Sequence, residues 1–335
     1  MISKRKVIIS NSFNPYFNLS LEEYLLNNID EDEMVLYLWR NENTVVIGRN
    51  QNPWKECNLE RLSNMEGKIA RRLSGGGAVY HDLGNLNFTF LTGEKNEDLS
   101  KQLSVIIEAL KEQRIESSFS GRNDILVDGK KISGNAFYWD NNKYYHHGTL
   151  LYKVDVEKLT AILTPPTHKL TSKGIDSVKS RVANLKEYRE DLTIESLRKS
   201  LIRAFEVKYG EINDIKYLDE EVLDLHELTN KYSSSQWIYG DSPDFHISID
   251  RVTSEGKIEI NISAEDSEIK KCKIYTDSLY TKEFTIIEKI LEGCVFNKDN
   301  IIEALDKNSQ LFSFKGKVIL DLVKEMIEEN VPKLI

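Results

Sequence analysis

Arg71 to Phe90 reads Arg-Arg-Leu-Ser-Gly-Gly-Gly-Ala-Val-Tyr-His-Asp-Leu-Gly-Asn-Leu-Asn-Phe-Thr-Phe, a stretch that gathers groups suited to gripping an anion. Gly75, Gly76 and Gly77 free the backbone to take φ > 0 and bring its N–H groups close to a ligand, and the arginines supply fixed forks of donors. Such a loop can hold a carboxylate or a phosphate. Glycines alone suit a plain hairpin turn, but Arg71, Arg72, Ser74 and His81 are residues a turn does not need. Two further groups carry chemistry. Lys130 and Lys131 follow Asp128-Gly129 and precede Ser133-Gly134, so a cation stands beside a position without a side chain. His146 and His147 are adjacent in an extended run, and neighbouring strand residues face opposite sides, so one can line a site while the other is structural.

The elements that must position these groups alternate between strand and helix patterns. Val7–Ile9, Met34–Trp39 and Thr44–Gly48 are rich in β-branched and aromatic residues and predict strands, and Leu19–Asn28 predicts a helix. Lys68–Leu73 and Leu86–Thr92 predict strands flanking the glycines. That context differs from the strand-to-helix setting of a dinucleotide or phosphate-binding loop, and neither of those spacings is present. Ser100–Gln113 is strongly amphipathic. Asp128-Gly129 predicts a tight hairpin turn within Ile125–Tyr138, and Tyr144–Lys153 continues the sheet. Thr164–Leu185, with two prolines, many hydroxyls and the cations Lys169, Lys173, Lys179 and Arg181, predicts a long binding loop or a solvated linker. Helices follow at Ile194–Lys208 and Glu220–Asn230, then a polar junction at Lys231–Pro243. Strands at Phe245–Arg251, Lys257–Ile262 and Lys270–Thr276 come next, with helices at Glu283–Leu291, Lys298–Leu305 and Lys317–Glu328. The pattern is α+β, with mixed or antiparallel sheets and packed helices, followed by a small α+β unit.

Composition bounds the function. The 335 residues suggest two domains at roughly 100 to 200 residues each. The net charge of -9 disfavours general nucleic-acid binding, although a local basic site remains compatible with it. Cys57, Cys272 and Cys294 are odd in number and scattered, which fits reduced thiols in a cytoplasm. No signal-peptide pattern and no apolar run of about 18 residues occurs, so a soluble cytoplasmic protein, by default a monomer, is expected.

Five blocks in order carry a family resemblance: Arg71–Phe90, Gly121–Ile125, Lys131–Ala136, His146–Leu151 and Lys173–Val182. The upstream run Leu38-Trp39-Arg40-Asn41 through Cys57-Asn58 adds to them. Together the chain resembles lipoate-protein ligase A, with a biotin/lipoate ligase-like catalytic domain at 1–243 and an accessory domain at 244–335. The resemblance implies that lipoate and Mg-ATP form lipoyl-AMP, and that a lysine of a lipoyl domain of a 2-oxoacid dehydrogenase subunit, or of glycine-cleavage H protein, then takes the lipoyl group.

It further implies roles. Lys131 is the catalytic cation, whereas a bare reading makes it a surface lysine. Trp39, Arg72, Ser74, Gly77, His81, Lys131, Gly134 and His147 are expected around lipoate, with Arg72, Ser74 and His81 at the carboxylate and phosphate end and Trp39 and His147 along the slot. Trp39 suits core packing equally well. Gly75, Gly76, Gly77, Ala78, Val79, Tyr80, Asn85, Asn123, Asp124, Lys131, Ser180 and Arg181 are expected at the nucleotide. Asp124 is expected to hold Mg²⁺ or, alternatively, to cap the hairpin. Competing functions are octanoyl or lipoyl transfer, whose usual route needs a nucleophilic thiol at the site, and non-catalytic capture of lipoate or lipoyl domains. The Gly-Arg-Gly-Arg run typical of biotin ligases is absent.

Overall fold

The computed structural model describes residues 2–120, 124–163, 181–239, 247–265 and 268–331. Asn123, Ser180 and the 164–180 portion of the expected loop lie outside these residues. The chain divides into two compact units. The first comprises Met1–Ile47, Trp54–Arg72 and Ala78–Ile238, and the second Gly48–Pro53, Leu73–Gly77 and Tyr239–Ile335.

In the first unit the strands are β1 (Lys4–Ser10), β2 (Glu33–Trp39), β3 (Thr44–Ile47), β4 (Lys68–Arg71), β5 (Val79–His81), β6 (Asn85–Gly93), β7 (Ser118–Phe119), β8 (Asp124–Val127), β9 (Lys130–Asp140), β10 (Lys143–Leu151) and β11 (Asp214–Leu218). They form an eight-stranded mixed sheet ordered β11-β1-β2-β6-β10-β9-β8-β7 and a small sheet ordered β4-β3-β5. β1 pairs in parallel with β2 and β11, and the remaining pairs of the large sheet are antiparallel. Asp128 and Gly129 both have positive φ, 48° and 76°, which is the twist-matched turn that joins β8 to β9.

Strand alternation gives the large sheet two different faces. On one, Leu36, Leu38, Phe88, Phe90 and Leu150 pack with Leu103 and Ile106 of the Leu99–Glu112 helix and with Leu201 and Phe205 of the Ile194–Tyr209 helix. The other face is unusually polar, and the Pro15–Asn28 helix contributes to it. That helix begins earlier than its apolar spacing predicts, because Asn14 caps it and Pro15 opens it. Its buried positions include Asn18, Ser20 and Glu22, which erases any clean apolar stripe. β11 is also absent from the sequence-based expectation. Its residues are largely exposed at the sheet edge and carry no burial pattern.

In the second unit β12 (Ile247–Thr253), β13 (Gly256–Glu265) and β14 (Glu268–Thr276) make an antiparallel meander. Helices Thr281–Leu291, Lys298–Lys307 and Phe314–Asn330 pack on it through Ile260, Ile274, Phe284, Leu305 and Val323. Within this unit Gly76 N–H donates to Ser278 O at 3.0 Å, and a Cβ on Gly75 would lie 2.2 Å from the same oxygen. Among the described residues no helix is long and apolar enough to cross a membrane.

Candidate active site

The polar face of the large sheet carries a row of residues running across five strands. Trp39 on β2 opposes Asn87 on β6, and Asn87 opposes Thr149 on β10. Gly134 on β9 donates its N–H to Thr149 Oγ1 at 3.2 Å and opposes Asp124 on β8. At about 4.8 Å per strand the row extends roughly 19 Å from Trp39 to Asp124.

Lys131 stands at the Asp124 end. A register irregularity in the β8–β9 pair, between Ile125 and Leu126, lets Lys131 share the face of Gly134. Its Nζ lies 2.7 Å from Asp124 Oδ1 and would be 3.0 Å from a Cβ on Gly134. Both charged side chains are about one-third exposed, so the pair is open to a ligand. Lys130 is exposed on the strand's rim. The backbone of Lys131 is fastened from the other side: its N–H donates to Arg181 O at 2.7 Å, and Ala183 N–H donates to Lys131 O at 3.0 Å. Arg181, in the last part of the expected 164–185 loop, thereby stands beside Lys131.

The next row holds Tyr37, Thr89, His147 and Ala136. Glu22, buried on the Pro15–Asn28 helix, accepts from Thr89 Oγ1 at 2.7 Å and is 2.9 Å from His147 Nδ1. Trp39 Nε1 donates to Thr89 Oγ1 at 3.0 Å. The indole is therefore buried with its donor satisfied and presents its ring. His146 faces the opposite side, between Gln102 and Asn135, and stacks on Phe90. Burial pushes its pKa down to about 3.

The small sheet brings in His81 and Tyr80 from β5, while Arg72 follows β4. His81 meets Trp39 edge-on, with centroids 6.1 Å apart. Burial holds it down to about 3, and the nearby positive charge of Arg72 pushes the same way. Burial also pushes Arg72 down to about 10, which leaves it cationic at neutral pH. Arg72 and His81 are thus grouped with Trp39, Glu22 and His147, while Lys131, Asp124 and Gly134 gather at the opposite end of the row. Tyr80 is bonded to Asn43 Oδ1. Val79 completes β5, and Asn85 opens β6 with its Nδ2 on Asn87 Oδ1.

Ser74 and the glycines belong to the second unit, with Ala78 just beyond them. Of the three glycines only Gly76 has positive φ, 90°. Gly75 answers a close approach of backbone, whereas a Cβ on Gly77 would meet nothing within 4 Å among the described residues.

Sequence reasoning did not find Glu22, Thr89, Asn87 or Asn41. Asn87, Thr89 and Asn41 lie inside quoted blocks but carried no role. Glu22 is a carboxylate on a helix, the commonest place for a solvated one, and only the tertiary fold buries it.

The three thiols are poorly disposed to nucleophilic work. Burial pushes Cys57 up to about 11 and raises Cys272 and Cys294 as well. A thiolate is the reactive form, so none of them is activated.

Residues 14–206 match the family model of the lipoyl protein ligase A/B catalytic domain, and residues 242–327 match the bacterial lipoate protein ligase C-terminus. A lipoate-protein ligase A of Bdellovibrio bacteriovorus is 41% identical over 91% of this chain and 92% of its own length. The chain belongs to the lipoate-protein ligase A family. It is a ligase in the sense of that family, with a lipoate ligase fold. P. falciparum LipL1, solved in complex with lipoate, superposes with TM-score 0.83 at 33% identity, covering 97% of this chain and all of that one. A bipartite lipoate protein ligase of Thermoplasma acidophilum, solved in work that includes its E2 lipoyl domain, gives TM-score 0.64 at 26% identity over 74% of this chain and 100% of that one. A lipoate-protein ligase A bound with ATP gives 0.62 at 26% over 72% and 99%.

Proposed function

We propose that the chain activates free lipoate with ATP as lipoyl-AMP, releasing pyrophosphate, and then transfers the lipoyl group to a specific lysine of a lipoyl domain or of glycine-cleavage H protein. Residues 1–243 would carry the chemistry and 244–335 the accessory role. The observation that carries the reading is Lys131, whose ammonium overhangs Gly134 at one end of a polar row that terminates at Trp39. In the first step a carboxylate oxygen attacks the α-phosphorus, two anionic groups that repel unless a cation lies between them. The Lys131 ammonium can bridge both and gain strength as charge builds in the transition state. In the second step a neutral lysine amine attacks the acyl carbon and AMP leaves.

Arg181, beside Lys131, is the further group proposed for the anionic parts of the substrates, while Arg72, grouped with Trp39, stands at the other end of the row. Trp39, His81, Gly134 and His147 are proposed for the acyl chain. Mg²⁺ would accompany ATP. Among the described residues no group of three or more metal-ligating side chains occurs. A single carboxylate, Asp124, suits Mg²⁺ carried mainly by phosphates and water. The cation would supply charge neutralisation there. A thioester route is disfavoured by the raised thiol pKa values.

The test is lipoate-dependent ATP–pyrophosphate exchange. Lys131→Ala is expected to lose it by about 10²- to 10³-fold, the size of one oriented electrostatic contact, with the thermal transition retained. Exchange at the parental rate would remove Lys131 from the mechanism. Intact mass of purified candidate acceptor domains, incubated with lipoate and ATP, reads the second step.

A further inference from the structure

His81 Nε2 is buried and has no hydrogen-bond partner among the described residues. Its other ring nitrogen is fixed by a chain of amides whose orientation can be followed from the backbone outward. Asn18 Nδ2 faces the carbonyl oxygens of Ser12 at 3.1 Å and Arg40 at 2.8 Å, which can only accept. Its Oδ1 receives Ser10 Oγ at 2.6 Å and Tyr37 Oη at 3.2 Å. Asn18 therefore cannot be turned round. The same Nδ2 lies 2.9 Å from Asn41 Oδ1, which directs Asn41 Nδ2 to His81 Nδ1 at 3.2 Å. Nδ1 must accept. A neutral imidazole carries one proton, and burial keeps this ring neutral far below physiological pH, so the proton sits on Nε2.

An unpartnered N–H in the interior costs free energy unless something meets it. Among the described residues two further buried polar atoms lack partners at the same end of the row, Asn87 Nδ2 and Asn85 Oδ1. Gly134 and the Lys131 ammonium lie three strand spacings away, about 14 Å. If the carboxyl of lipoate is at Lys131, the other end of the molecule arrives beside Trp39 and His81. That end is a cyclic disulfide, a soft and weak acceptor; octanoate offers a methyl group there and accepts nothing. A neutral donor beside an aromatic face suits the sulfur.

We infer that Asn41, itself held by Asn18, is a positioning residue that fixes His81 as the Nε2–H tautomer and so presents a neutral donor to the dithiolane of lipoate. The inference rests on the functional reading above and adds the basis of selectivity to it. The test uses the full chain labelled with ¹⁵N-histidine, the His81 signals being assigned by their loss in His81→Gln. Long-range ¹H–¹⁵N correlation at neutral pH is expected to show protonated Nε2 and bare Nδ1. Saturating lipoate should move the Nε2–H resonance more than saturating octanoate does. Asn41→Leu should mix the tautomers and reduce the lipoate-over-octanoate ratio of kcat/KM in pyrophosphate exchange by roughly three- to tenfold, the worth of one net hydrogen bond. A proton on Nδ1, equal responses to the two acids, or an unchanged ratio in a folded Asn41→Leu would each overturn the inference. Exchange with neither acid in the parental chain would instead sink the functional reading, and the ligand-free tautomer measurement keeps the two failures apart.

Discussion

Gly134 is where the cost of a single methyl group can be read most directly. Its Cβ would sit 3.0 Å from Lys131 Nζ, the far end of a flexible side chain, so Gly134→Ala is expected to leave the fold intact and displace the ammonium. A misplacement of about 1 Å can cost on the order of 10²-fold in rate, and pyrophosphate exchange beside a thermal melt checks both halves. The two buried histidines set a second expectation. His81 and His146 are both held near 3 when folded, against 6.5 for the free side chain. Well above pH 6.5 both states are neutral and contribute nothing. As pH falls from about 6.5 towards 3, the unfolded chain takes up protons the folded chain refuses, so stability falls with a slope approaching about 1.4 kcal/mol per pH unit for each ring. Urea midpoints measured from pH 7 to 4 should decline accordingly, and a flat profile would show that the folded rings do protonate.

At the scale of elements, two short backbone contacts decide where the chemistry stands. The Arg181–Ala183 segment makes an isolated parallel bridge to Lys131 through Val182. Ala183→Pro deletes the N–H that holds Lys131 O, and adenylate formation should fall more than melting temperature does. The glycine run separates in the same way. Gly75→Ala drives a Cβ to 2.2 Å from the backbone oxygen of Ser278 and should destabilise by about 1–3 kcal/mol, whereas Gly77→Ala meets open space and should leave stability alone. If Gly77 leaves room for the nucleotide, its alanine variant raises the KM for ATP. An unchanged KM would assign that glycine no part in nucleotide binding. The run was legible as three glycines. It was not legible that one of them serves positive φ, another close packing and the third neither, because those distinctions depend on what lies opposite.

At the scale of the whole molecule, the second unit draws its core from Ile249 to Val331, with Ile258, Phe284, Ile301 and Val323 fully enclosed. Residues 242–335 expressed alone should therefore melt cooperatively. A fragment that fails to do so would show that Gly48–Pro53 and Leu73–Gly77, which group with this unit, are required for it to fold. The net charge of -9 and the scattered thiols of the full chain say little about the reaction.

The amino-acid sequence by itself determined what is local. A tight turn at Asp128-Gly129, the strand alternation that sends His146 and His147 to opposite faces, the amphipathic Leu99–Glu112 helix and the run of motif blocks that mark the family are all set within a few residues of one another. Only the tertiary structure decided which distant groups meet. Glu22, Asn41 and Asn18 look like solvated polar residues in sequence, and each is buried because strands β2, β5, β6 and β10 bring partners to it. Burial of a polar atom is stabilising or costly according to its partner, and the partners here lie between 6 and 125 residues away. No pattern within a single element records that distance.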